Sequence, residues 1–344
     1  MSGVSTEYRK IFKWNSEAYF MEIEELKTLE GTEPLKKEWD SLVELSGNNV
    51  FSVYDFFRSW EKAYGDLAQM KIQLLYEDRK LVGILPLASE NGVLKFATGI
   101  DYKGVSDYND FIVNPQFELG VFEHIKDFLS REKIVLREIP QHSKTLQHFH
   151  GDSRFSISDS SEVSSKIHLV GSLEEYLSTI RSSYRSLFRK QKSNPDFSFE
   201  VLQDKGQLET WFEEFVKLHQ SSWNKRGLPG CFADDDKHKR FRNFHANLKD
   251  RLFQDNHLHF QRLRHKDEII AIEYSFIDRD TIYFYLGAMN ENYRNLSPGI
   301  LIQLFSLRES FDRGLQYYDF LRGDEDYKQG LRAVKEQNKT ISSV

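Results

Sequence analysis

The tightest constraint on this chain lies between Thr281 and Lys328, where strand, turn, helix, strand and polar turn follow one another without slack. TIYFYLGAM, Thr281 to Met289, is rich in β-branched and aromatic residues, as strands are. A polar bend, NENYRNL, leads to Ser297-Pro298-Gly299. That triplet opens an apolar helix with Ile300, Leu301, Leu304, Phe305 and Leu307 on its buried side. Ser is a preferred N-cap and Pro a preferred first helical residue. Gly314 is a plausible left-handed terminator. QYYDFLRG then reads as a second strand, brought parallel to the first by a crossover. Strands alternating with helices in this way predict an α/β fold with mixed sheets.

The junction carries chemistry as well as geometry. A helix start presents unpaired N–H groups and a partial positive charge, so it attracts phosphate. Gly299 lets an anion approach the backbone, and parallel α/β layers bind phosphorylated ligands where a strand feeds a helix. On the residues alone, SPG reads equally as a well-made cap.

With 344 residues, the chain is long enough for one large domain or two of medium size. A net charge of −6 argues against a general nucleic-acid binder, and 14% aromatics predicts cores packed with Phe and Tyr. The single cysteine, Cys231, excludes an internal disulfide and suits a reducing compartment. No zinc or H-E-x-x-H spacing exists, so no metal site is expected. The N-terminus lacks the apolar core of a secretory signal, and no run approaches the ~20 apolar residues of a membrane span. A cytoplasmic place of work is the expectation.

Residues 1 to about 18 read as a mobile lead-in, followed by an opening strand in MEIEELKTLEG. Helices are expected at PLKKEWDSLVELSG (Leu35, Trp39, Leu42, Val43 and Leu45 inward), at VYDFFRSWEKAYG and at FELGVFEHIKDFLSREK. Residues 150 to 166 are Ser-rich and read as a connector or exposed hairpin, so the boundary between domains 1–160 and 161–344 is placed there. LEEYLSTIRSSYRSLFRKQKSN reads as one helix, followed by a strand and the helix QLETWFEEFVKLHQSSWNKRG. Two hairpins echo each other: KIQLLYEDRKLVGILPL and LHFQRLRHKDEIIAIEYSF, with Gly83 matching Ala271 at an offset of 188 residues. Only the second copy goes on to an SPG helix start; the first has NPQFEL at the comparable place.

From Trp211 onward, LHQSSWNKRGLPGCF, YLGAMNENYRNLSPG and YDFLRGDEDYK occur in the order in which they resemble the GNAT-superfamily acyltransferases. The resemblance is to the cellulose-biosynthesis-type (CelD-like) branch, related to the Fem aminoacyltransferases, and continues more weakly into VYDFFRSWEKAYG and SDYNDFIV. It implies two GNAT-like folds in tandem, the first shaping an acceptor cleft and the second holding an acyl-CoA, most simply acetyl-CoA. The diphosphate would meet Ser297, Pro298 and Gly299, and the pantetheine arm would lie along Leu286, Gly287, Ala288 and Met289. Arg294 and Asn295 stand where the family usually has Gln or Arg with spaced glycines. Asp324 is the first choice for a base or acceptor-orienting carboxylate, with Glu325 and Asp319 as alternatives. Tyr327 is the choice for general acid toward the thiolate, and Lys328 for an anion-holding cation.

The acceptor is expected to be an amine- or hydroxyl-bearing sugar or another envelope precursor. Arg181, Arg185 and Arg189 recur every four residues, with Lys190 and Lys192 nearby, which fits either a phosphate grip or a solvated helix face. His219 and Trp223 lie one turn apart, as cleft or core groups, and GLPG, Gly227 to Gly230, reads as a flexible bend at the cleft mouth. Two other readings stand beside this one: a Fem-like transferase using aminoacyl-tRNA, and a catalytically silent binding module.

Overall fold

The computed structural model describes residues 9–15, 20–100 and 104–344. They divide into one unit of Met1–Ser161 with Gln337–Val344 and another of Glu162–Glu336. In the first unit β1 (Arg9–Asn15) pairs antiparallel with β2 (Phe20–Leu26), so a strand begins within the stretch read as a lead-in; residues 1–8 and 16–19 lie outside the described residues. Helix α1 (Lys36–Ser46) buries Trp39, Leu42 and Val43 and ends on a left-handed Gly47, while Leu45, expected inward, is exposed. Helix α2 (Tyr54–Tyr64) is inward over most of its surface. The hairpin of β3 (Gln69–Glu77) and β4 (Lys80–Glu90) turns through Asp78 and Arg79, both at positive φ. There follow β5 (Val93–Phe96), β6 (Ile112–Val113), α3 (Glu118–Leu129), β7 (Val135–Ile139) and α4 (Lys144–Phe149). The sheet runs β1-β2-β3-β4-β5, with β6 also on β4. Leu85 and Leu87 of β4 join Val121, Phe122 and Ile125 of α3 in one core. Gly83 leaves room for that helix: a Cβ there would lie 2.9 Å from Val121.

Residues 155–166, expected as part of a connector, belong to the strand β8 (Phe155–His168). Serine has a low strand propensity, but Ser164 and Ser165 are small enough to be buried, and the backbone finds a partner strand, so pairing overrides composition.

In the second unit the stretch expected as one helix is two, α5 (Leu173–Thr179) and α6 (Ser182–Gln191). Ile180 between them is extended, and the Arg181 N–H bonds to the Gly330 carbonyl instead of continuing the helical ladder. The unit continues with β9 (Phe197–Val201), α7 (Leu208–Lys225), α8 (Asp236–Gln254), β10 (Leu258–His265), β11 (Glu268–Asp278), β12 (Thr281–Met289), α9 (Pro298–Asp312), β13 (Tyr317–Arg322), α10 (Asp326–Gly330) and the start of β14 (Val334–Ser343). Strand order is β8-β13-β12-β11-β10-β9. Residues 337–344 depart from the expected 161–344 domain. Lys339, Ile341 and Ser342 pair with β7, and Ile341 is buried in the first core.

The repeat read from the hairpins runs further than its sequence echo. Leu75 faces Gly83 and Leu263 faces Ala271, again 188 residues apart, and each ladder slips by a bulge at the next residue. The turn after each second strand also matches, with Asn91 at φ 52° and Arg279 at φ 50°.

Candidate active site

The parallel pairing of β12 with β13 covers Thr281–Tyr317, Ile282–Tyr318 and Tyr283–Asp319, then ends. Beyond it β12 runs on to Met289 along β11, while β13 stays with β8 through Arg322–Ser164. The edge of Phe284–Met289 that would face β13 is left without a strand, and Gly287 is exposed. This splayed edge leads, through a 3₁₀ segment at Glu291–Leu296, to the start of α9.

Ser297 at that start is not the conventional N-cap its residue type suggests. It sits in the left-handed region at φ 52°, ψ 52°, and its side chain makes no capping bond. Pro298 has no N–H, and no acidic residue occupies the first turn. The fifteen-residue helix therefore starts with its amides uncapped by side chains. A Cβ on Gly299 would meet only the Met289 sulfur, at 3.4 Å, which puts the helix start and the end of the splayed strand side by side.

The segment before it is braced. Glu291, mostly buried, accepts from Arg226 Nε (3.0 Å) and Nη2 (2.6 Å) and from Ser222 (3.2 Å), so α7 fixes it. These bonds hold its carboxyl below the usual range. Arg294 is largely exposed, 3.9 Å from the same carboxylate.

The expected catalytic residues fall into different environments. Asp319 is buried and accepts from the Leu321 N–H at 2.7 Å, bracing the left-handed Leu321. Asp324 is exposed and paired with Lys335 at 2.5 Å, which holds its carboxyl below the usual range. Glu325 is exposed and paired with Lys328 at 2.9 Å. Lys328, expected to hold a ligand anion, points inward: it is 3% exposed and its ammonium donates to the carbonyls of Arg322 (2.9 Å), Gly323 (3.0 Å) and Leu321 (3.4 Å). The reason is local, since the strand end and tight turn leave three carbonyls without ladder partners. Tyr327 packs edge-on against Phe320 at 5.8 Å, burial pushes its phenol up, and its hydroxyl has no hydrogen-bond partner among the described residues.

The Arg stripe does not gather into one grip. Arg181 binds Asp326 at 3.0 Å, Arg185 binds the carbonyls of Ser178 (2.8 Å) and Leu177 (3.5 Å), and Arg189 and Lys192 lie 3.9 and 3.4 Å from Glu174. On α7, Trp223 Nε1 donates to His219 Nε2 at 2.9 Å. That leaves the ring proton on Nδ1, which is buried without a partner among the described residues. Burial pushes this imidazole down to about 4 and the neighbouring Cys231 thiol up to about 12, so neither is charged near neutrality. The GLPG bend lies down on α7: Gln220 donates to the Pro229 carbonyl, and Gly230 fits against Trp223.

One group was missed. Glu273 of β11 is wholly buried, and its Oε1 lies within hydrogen-bond distance of the hydroxyls of Tyr318 (2.7 Å), Ser275 (2.8 Å) and Ser306 (3.2 Å), with Gln303 Nε2 3.4 Å from Oε2. Burial raises its carboxyl to about 7 against those hydrogen bonds. The available signal was a lone acid in the apolar run IIAIEYSF.

Among the described residues no group of three or more His, Cys, Asp or Glu is placed to hold a metal, and no helix is long and apolar enough to cross a membrane. Residues 178–329 match the family model described as an acetyltransferase (GNAT) domain. No curated protein sequence matches the chain. Solved structures of similar fold include FemX, at 11% identity, covering 90% of this chain and 96% of that one, TM-score 0.64. L-PGS from Bacillus licheniformis is also similar, at 11% identity over 89% and 91% of the two chains, TM-score 0.57. A conserved protein of unknown function from Bacteroides thetaiotaomicron follows at 10% identity over 90% and 97%, TM-score 0.57. The mixed α/β architecture with its two sheets is thus that of GNAT-like folds, and the stretch that matches the acetyltransferase model lies within the second unit.

Proposed function

We propose that the second unit transfers an acyl group from acyl-CoA, most simply acetyl-CoA, to an amine or hydroxyl of a sugar or other envelope-precursor acceptor. The observation that carries this reading is the three-residue parallel pairing that ends at Tyr283, leaving Phe284–Met289 open beside an uncapped helix start. The thioester's diphosphate is held by the amides at Gly299 and Ile300, and its amide-bearing arm by the main chain of Leu286 to Met289. The acceptor nitrogen or oxygen attacks the thioester carbonyl, the tetrahedral intermediate collapses, and the carbon–sulfur bond breaks. Tyr327 gives its phenolic proton to the departing thiolate, because burial keeps that phenol protonated and its hydroxyl is unengaged. The acceptor's own proton leaves to water at the exposed turn. Asp324, already held as a carboxylate by Lys335, orients the acceptor there instead of taking the proton, and Lys328 and Asp319 shape the turn from inside.

The reaction would take place in the cytoplasm, where CoA thioesters are held. An aminoacyl-tRNA donor is the weaker reading, since the cations that would meet its phosphates are engaged with Asp326, Glu174 and the end of α5. Isothermal titration with acetyl-CoA, followed by turnover on a panel of amino sugars, tests the proposal. Binding in the micromolar range with release of free thiol is expected. Absence of both overturns it, and binding without any turnover points to a silent module.

A further inference from the structure

We propose that Glu273 is a positioning residue of this site: a buried carboxyl that holds a proton in the resting protein and, through Tyr318, Gln303 and Ser306, sets the gap between α9 and β13. What that gap receives rests on the acyl-donor reading above. The register places Glu273 opposite Gly287, inside the part of β12 that has parted from β13. Tyr318 lies on β13, and Gln303 and Ser306 lie on α9. Side-chain hydrogen bonds therefore join β11, α9 and β13 just short of the place where the main-chain ladder opens, since Tyr318 is still paired with Ile282.

Proton counting supports the neutral form. The Tyr318 hydroxyl is 2.7 Å from Glu273 Oε1 and 2.8 Å from Gln303 Oε1, both acceptors when the carboxyl is ionised, and it has one proton. The Gln303 amide is fixed by its Nε2 pointing to Glu273 Oε2. With Tyr318 donating to Gln303, its contact with Glu273 needs a proton from Glu273. The groups facing the carboxyl are Gln261 on β10; Ser275 on β11; Gln303, Ser306 and, further along, Glu309 on α9; Tyr318 on β13; and Tyr327 on α10. None of them is a cation.

The first unit shows that the fold does not need this acid. At the same offset of 188 residues, Leu85 and Leu87 stand where Glu273 and Ser275 do, and Gln73 faces Leu85 as Gln261 faces Glu273. Both leucines are fully buried against α3. A buried polar network is commonly replaceable by apolar groups of similar volume without loss of stability. A carboxyl kept here serves the site.

The test compares the full chain with E273Q and E273L, using acetyl-CoA as the probe in calorimetry from pH 5 to 8.5 and denaturant unfolding over the same range. E273L leaves the buried Tyr318, Ser275 and Ser306 hydroxyls without their shared partner, so it should be less stable than the natural chain at pH 8, and it should bind acetyl-CoA at least tenfold more weakly. E273Q, which keeps the neutral geometry, should bind within threefold of the natural chain at pH 5.5. Its affinity should not show the decline that the natural chain shows as pH rises through 7. The sign for stability follows from a folded pKa raised to about 7 from an ordinary 4.5. The contribution is complete below 4.5 and lost as pH rises to 7, up to tenfold in the folding equilibrium per pH unit, and E273Q lacks this loss. Unaltered acetyl-CoA binding by E273L overturns the proposal. If E273L does not fold, E273Q decides: pH curves parallel to those of the natural chain overturn it, and the predicted divergence upholds it. If the natural chain binds no acetyl-CoA, the donor reading falls, and the stability curves alone judge Glu273 by the same criterion.

Discussion

The two units build the same junction, a strand leading to a helix beside a parallel pair, and complete it in opposite ways. At the start of α3 the chain supplies its own negative charge: Glu118 is in the first turn, holding His148 at 2.7 Å, while the 3₁₀ turn before each helix is capped alike, by Asn114 and by Asn290. At the start of α9 there is no acid and no side-chain cap. The gap differs too. In the first unit β5 meets β7's end at the parallel bridge Leu94–Ile134, and the chain fills the space beyond. Asn109 donates to the Glu138 and Arg137 carbonyls and accepts from Thr98, and Val105 bonds back to Thr98. In the second unit no segment takes that place on Phe284–Met289. A helix start prefers an anion near it, and the donor site is proposed in the unit that lacks one of its own.

The largest effect should come from carrying the second unit's chemistry into the first. Leu85→Glu would bury a carboxyl among Val121, Phe122 and Ile125 with no hydroxyls to meet it. A loss of roughly 4 kcal/mol, or outright failure to fold, is expected in denaturant unfolding. Tolerance of this change would mean that the two α-facing sheet surfaces are more alike than Leu85 and Glu273 suggest.

Next comes the reverse transfer, giving α9 the acid that α3 has. Gly299→Glu should raise the acetyl-CoA dissociation constant roughly hundredfold, about 2.7 kcal/mol, while stability holds or gains about 0.5 kcal/mol from the helix dipole. The natural chain should saturate at a single acetyl-CoA, because only one of the two gaps is open. A second equivalent would break the comparison. Tyr327→Phe is smaller: kcat should fall roughly thirtyfold, about 2 kcal/mol, with donor affinity unchanged, measured by thiol release.

Much of this was legible where local signals and tertiary demands agree. The charged hairpins, Gly314 as a left-handed stop and the Pro298 start each follow from one residue's backbone preference. The proposed site rests on the SPG junction, which the residues alone single out. What was not legible depends on partners far along the chain. Lys328 reads as a free cation until the carbonyls of Leu321, Arg322 and Gly323 turn toward it, and the Arg181–Arg189 stripe reads as one helix face until Gly330 breaks the helix. The Ser-rich stretch reads as a connector until β13 pairs with it. Glu273 was within reach, since the repeat that matched Gly83 with Ala271 sets Leu85 against it two residues later.

The smallest predicted effect separates two roles for the acidic turn. A general base must pick up a proton during turnover, so its carboxyl should titrate near the working pH. Asp324 is displaced the other way, since the ammonium of Lys335 keeps it ionised. Asp324→Asn should therefore lower kcat/KM no more than about threefold, under 1 kcal/mol, mainly through KM for the acceptor. The pair is solvent-exposed, so its loss should leave the melting temperature unmoved. A hundredfold fall in kcat would instead make Asp324 the base, with Lys335 retuned once the acceptor binds. Lys335→Ala should then shift the acid limb of the pH profile upward, whereas under the orienting role it leaves that limb in place.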